Sequence, residues 1–91
     1  MMKEPMPVAL LQWCDPRSDE HGNPLDRNFA LEIYHGLHFS PADRPIGVVQ
    51  AGVQVFLTPP LHPGSHFFTV VAVDSDGDQS RQLVIHVEVP R

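Results

Sequence analysis

Cysteine is almost missing from this sequence: Cys14 stands alone, so no disulfide can close within the chain. Small extracellular domains are commonly stapled by several, and the lone thiol points to folding in a reducing compartment. Basic residues are scarce too, six against eleven acidic ones for a formal net charge of −5, and Lys and Arg gather in no cluster. A phosphate backbone would be repelled, which excludes nucleic acid as a partner. Long apolar runs are also absent. The start MMKEPMPVALLQW holds only Val8 to Leu11 between Pro7 and Gln12, too short for a signal-peptide core or a membrane span. Synthesis in the cytoplasm without a signal peptide and without a membrane partner is the expectation.

What is present fits one small globular unit. Ninety-one residues leave no room for a catalytic domain beside a binding domain. A chain of this length buries only about 60–65% of its unfolded surface, enough for one thin core and little enclosed volume. An enzyme is disfavoured on that ground, and no small-molecule ligand or cofactor is expected. Hydrophobic residues at 42% and charged residues at 19% give a globular balance, while ten prolines suit strand ends and loops better than long helices.

Apolar and polar residues alternate in five or six short segments, and no segment sustains a helical period, so the predicted class is all-β. Ala9, Leu11 and Trp13 share one face of a first strand that Asp15-Pro16 ends. Residues 15–28 collect Asp, Gly, Asn and Pro and read as a loop. Phe29, Leu31 and Ile33 alternate with Ala30, Glu32 and Tyr34 in a second strand, which His35-Gly36 breaks. A long connection over 37–45 leads to a short edge strand over Ile46–Ala51. Val53, Val55 and Leu57 alternate with Gln54, Phe56 and Thr58 before Pro59-Pro60, and a turn follows at His62-Pro63-Gly64. His66 to Val73 is the most apolar run. Asp74-Ser75-Asp76-Gly77-Asp78 then signals a turn into a last strand, where Leu83, Ile85, Val87 and Val89 oppose Gln82, Val84, His86 and Glu88.

At LQWCDP, FALEIYHG, LHPGSHFFTVVAVDSDGDQS and LVIHVEVP the sequence resembles the fibronectin type III family and its bacterial immunoglobulin-like relatives, across roughly residues 8–90. The resemblance implies an antiparallel β-sandwich of about six to seven strands. Trp13 would be the core tryptophan of strand B, Phe29 to Gly36 strand C, and Leu61 to Ser65 the E–F turn. Phe67 stands where the family carries a corner tyrosine. The inward set of strand F is either Phe67, Thr69, Val71 and Val73 or His66, Phe68, Val70 and Ala72. Residues 1–7 are an N-terminal arm or short strand A, so strand A is short, displaced or absent, and its absence would leave an open edge. Trp13 is expected between two sheets near Leu31, Ile33, Val55, Leu57, Ile85 and Val87.

Three constellations invite chemistry. Asp74, Asp76 and Asp78 place carboxylates at alternate positions, a spacing that calcium sites use, but an EF-hand would need a glycine at Gln79 and a glutamate at Ile85. A hairpin turn is the simpler reading. His35 and His38 have HxxH spacing, with His62 and His66 near another turn; without a cysteine pair, solvated or hydrogen-bonded histidines outweigh a zinc site. Cys14 with a histidine has no recognisable catalytic motif around it. More informative are apolar residues on both faces of strand F, with Tyr34, Val84 and His86 on the outer faces of strands C and G. These are the candidate interaction residues, although loops could cover the same strip.

The resulting expectation is a non-enzymatic structural or protein-interaction module, joined to a protein partner or to itself. The chain reads as a complete small gene product. Lone domains of this kind are built into bacteriophage capsids and tails, so the specific expectation is a virion accessory protein. An adhesive or spacer module of a larger bacterial surface or carbohydrate-active protein is the alternative. A metal-dependent protein or enzyme is the third class.

Overall fold

A computed structural model describes residues 7–25, 28–37 and 43–91. Met1–Met6, in the expected arm, and His38 of the HxxH pair lie outside them. Among the described residues there is no helix, and six strands follow one another: β1 (Leu10–Gln12), β2 (Ala30–His35), β3 (Gly47–Gln50), β4 (Val55–Leu57), β5 (Gly64–Val73) and β6 (Leu83–Val89). They form two antiparallel sheets, a pair β1-β4 and a four-stranded sheet in the order β3-β2-β5-β6. That arrangement is compatible with a β-sandwich.

Cross-strand register assigns the faces. Ile33 lies opposite Val70, Leu31 opposite Ala72 and His35 opposite Phe68, so the inward set of β5 is His66, Phe68, Val70 and Ala72. This selects the second of the two alternatives that the sequence leaves open. The same row continues onto β6, where Phe68 faces Ile85 and Val70 faces Leu83. Leu11, Trp13, Leu31, Ile33, Leu61, Phe68, Val70, Ala72 and Val89 form the core, with Trp13 only 7% exposed. Burial of such side chains is the main favourable term for a domain this small.

One expected face is reversed. Val55 and Leu57, expected beside Trp13, are 42% and 59% exposed, and Phe56 turns inward instead. Directly opposed residues of an antiparallel pair share a face, and Leu11 stands opposite Phe56 while Leu10 stands opposite Leu57. Two local fits hold this register. Phe56 packs against Gly47 of β3, where a Cβ would lie 2.3 Å from its Cε1. The buried Thr58 hydroxyl accepts the Ala9 N–H at 2.9 Å. Alternation alone favoured three aliphatic residues over Phe56, because it carries no record of the glycine that makes room for the ring.

β5 begins at Gly64 and so extends two residues into the segment read as a turn, pairing Gly64 with Val89 and Ser65 with Glu88. β2 runs on to His35 and ends at Gly36, whose φ of 102° favours glycine.

Replacing Trp13 with alanine should cost about 3–5 kcal/mol, the scale of a small domain's entire stability. Gly47→Ala should cost about 1–3 kcal/mol through overpacking against Phe56, and Phe56→Leu in the same chain should restore part of it. Urea unfolding midpoints of the two single variants and the double variant check this.

Candidate functional site

The Asp74–Asp78 segment is a closed turn. Asp74 N–H donates to Asp78 C=O at 3.0 Å and Gly77 N–H returns to Asp74 C=O at 3.0 Å. Asp74 Oδ1 accepts the Asp76 and Asp78 N–H groups at 3.0 and 2.9 Å. Asp19–Asn23, read only as loop, repeats this design. Asp19 N–H donates to Asn23 C=O, Gly22 N–H donates to Asp19 C=O, and Asp19 Oδ1 accepts the His21 and Asn23 N–H groups at 2.9 and 2.8 Å. Gly22 and Gly77 share a φ of 86°. The signal was an Asp-x-x-Gly-x pattern present twice. The turns meet where Glu20 N–H donates to Gln79 C=O at 2.8 Å.

Electrostatics distinguishes the two turns. Backbone donation, first from Asn23, lowers the Asp19 carboxyl below its ordinary range. The Asp74 carboxylate, ahead of smaller contributions, raises that of Asp78. Asp74, Asp76 and Asp78 bring one oxygen each within 4.8 Å of one another, fewer than the six to eight oxygens calcium takes. The geometry on view is that of a turn held by Asp74.

His35 Nε2 and His66 Nδ1 lie 3.0 Å apart, and His66 Nε2 lies 2.6 Å from the His62 carbonyl. A carbonyl only accepts, so His66 Nε2 donates to it, and the second ring nitrogen, Nδ1, shares a hydrogen bond with His35 Nε2. His35 also stacks on Phe68 with ring centroids 4.7 Å apart. These histidines form a hydrogen-bonded pair at the margin of the core.

The outer strip divides. Tyr34 is buried at 6% exposure, with Thr69 and Val71 closed beside it, so Tyr34 offers no open surface to a partner. Its hydroxyl donates to Glu32 at 2.5 Å, and burial followed by that bond pushes its pKa up to about 12. Val84 is 48% exposed, and the exposed His86 stacks on Phe67 at 4.8 Å and lies 3.1 Å from Glu88. Of the three candidates, Val84 and His86 remain accessible.

The edge of β1 is the less expected feature. Trp13 N–H donates to Gln54 C=O and Thr58 N–H donates to Ala9 C=O, so Ala9, Leu11 and Trp13 direct their backbone groups at the β4 side. Groups alternate along a strand. Val8, Leu10 and Gln12 therefore turn theirs away, toward an edge that pairs with no other strand among the described residues. Residues 7–13 and 53–61 contain no charge, and Val8, Leu10, Val55 and Leu57 expose apolar surface there. Natural edges are ordinarily blunted by charge, bulges or covering loops. Cys14, exposed, follows directly.

Replacing Asp74 with alanine should cost about 1–3 kcal/mol by removing two backbone hydrogen bonds, whereas Asp76→Asn should leave the melting temperature unchanged. Tyr34 gives a pH prediction. The unfolded tyrosine loses its proton near pH 10 and the folded one at about 12. Between these values the folded state binds more protons, so stability falls as pH rises, by at most about 1.4 kcal/mol per unit. The stability gap between wild type and Tyr34→Phe should therefore narrow from pH 9 to 11.5. Comparisons with family models, curated proteins and solved structures found no match to this chain.

Proposed function

We propose that this chain is a non-enzymatic, immunoglobulin-like β-sandwich module that works by association, and that the open edge of β1 is its contact element. The strand order supports the fold reading: in it β1 and β4 would stand for strands B and E, and β3-β2-β5-β6 for C′, C, F and G. Strand A has no counterpart among the described strands. The observation that carries the functional reading is the uncharged β1 edge, with the Leu10 and Gln12 backbone groups turned outward beside exposed Leu10 and Leu57. An edge of this kind gains both hydrogen bonds and apolar burial when another strand lies against it. The module would serve as a component of a larger assembly, a phage capsid or tail particle in the leading reading and a bacterial surface or carbohydrate-active protein in the alternative. Neighbouring genes distinguish the two.

Proline substitution tests the edge. Gln12→Pro removes a donor that points away from β4, so the fold should survive. Leu11→Pro removes a ladder donor and should unfold the domain. In complexes isolated from the native source, Gln12→Pro should be lost from the assembly while Val84→Asp is retained. Loss of Val84→Asp alone would move the contact to the outer face of β6. Normal assembly of both variants would remove both surfaces as the contact, and recovery of the wild-type protein from that source only as a free monomer would end the association reading.

A further inference from the structure

The position of the open edge restricts what can occupy it. Phe56 places β4 over Gly47 of β3. At the other side, Trp13, immediately after β1, shares a cleft with Leu31 of β2, Val70 and Ala72 of β5 and Leu83 of β6. β1 therefore lies inboard, and its free edge faces the β6 side. There the inner row of β6 is incompletely covered: Leu83 is 44% exposed and Ile85 and Val87 are half-buried, while Val89 is closed at 6%. The four-stranded sheet extends beyond its two-stranded cover on this side.

The cleft has a volume of about 220 Å³. A cavity of about 150 Å³ lined by aliphatic and aromatic side chains accepts benzene, so one large apolar side chain fits. The indole N–H of Trp13 is buried without an acceptor among the described residues, whereas buried donors are normally satisfied. Just beyond, Arg17 and Arg81 line one recess together with a single carboxylate, Asp19, which its own turn's backbone N–H groups already engage. Both arginines are exposed and neither forms an ion pair among the described residues.

Resting on the edge reading above, we infer that the occupant is a single extended strand of another protein, apolar at alternate positions and acidic where it passes Arg17 and Arg81. Its backbone pairs with Leu10 and Gln12. Antiparallel geometry then turns the residues opposite Leu11 and Trp13 inward, so one covers Ile85 and Val87 and the next enters the cleft beside Leu83. The row of backbone donors and acceptors selects an extended peptide over a helix or a small molecule. A second copy joining through its own β1 would bring its projecting β6 into the space that this β6 occupies, so one strand fits where another two-layered domain does not. In a chain of net charge −5, the two arginines outnumber the one lining carboxylate, Asp19, which is turned to its own backbone donors, and so supply a local preference for a carboxylate.

The probe is acetyl-Glu-Thr-Val-Thr-Leu-Thr-Val-Thr amide, its glutamate at the end that an antiparallel strand carries past Trp13 to Arg17 and Arg81, added to the intact protein. The single tryptophan reports binding by fluorescence, and amide hydrogen exchange reports the pairing. Saturable binding should protect the Leu10 and Gln12 amides and leave the already bonded Leu11 amide unchanged. Methylating the peptide nitrogens that pair with β1 should abolish binding. Leu83→Asp should weaken it at least tenfold, and Arg81→Glu should weaken binding of the glutamate peptide more than of its glutamine analogue. Absence of saturable binding, while Gln12→Pro still fails to assemble, overturns the single-strand occupant and leaves the edge reading intact. Protection of Leu10 and Gln12 in a concentration-dependent dimer of the free protein gives the edge to a second copy and overturns the proposal. Protection of both amides in the free monomer defeats both readings.

Discussion

Leu11 opposite Phe56 is the pairing on which the rest depends. It directs Leu11 and Trp13 toward the four-stranded sheet, brings the Phe56 ring over the bare backbone of Gly47, and sends Leu10, Val55 and Leu57 to the outside. A slip by one residue would exchange those faces, leaving Gly47 opposite no ring and Trp13 without its place in the core. The same register decides which backbone groups are consumed by β4 and which remain outward. The core face and the outward row of backbone groups are thus two results of one alternation.

Much of this was legible in residue order. β6 occupies the span that its alternation marked, the Asp74–Asp78 turn lies where acidic residues and glycine placed it, and Trp13 sits in the core. The reversed face of β4 was hidden because Val53, Val55 and Leu57 form a better apolar row than Gln54, Phe56 and Thr58, and the deciding information lies in Gly47 on another strand. Tyr34 was placed on the correct outer face, yet its burial depends on what lies above the sheet. The second aspartate-held turn was legible, but it needed comparison of Asp19–Asn23 with Asp74–Asp78. The Arg17 and Arg81 recess was not, since those residues meet only after the chain has folded.

The two ends of β1 differ in chemical character. On the Trp13 side, exposed Cys14 and the arginine recess lie close to the paired turns, where the Glu20–Gln79 hydrogen bond ties the 15–25 loop to the β5–β6 connection. On the other side, Leu61 N–H donates to Pro7 C=O at 2.8 Å, so the backbone contact with the β4 side continues past the strand proper. β1 is short as a strand and is nevertheless held at both ends. The three-residue pairing with β4 is thereby secured against fraying.

The pairing of β1 with β4 also imposes an order on folding. Leu10 meets Leu57 across most of the intervening chain, whereas β5 and β6 join through one local connection. Non-local pairing is slow because loop closure must precede the contacts that reward it. During synthesis β4, the strand that pairs with β1 among the described residues, follows it much later. During that interval the edge that β4 will cover is unsatisfied, so a segment that anchors the finished core is open to a wrong partner before the core exists.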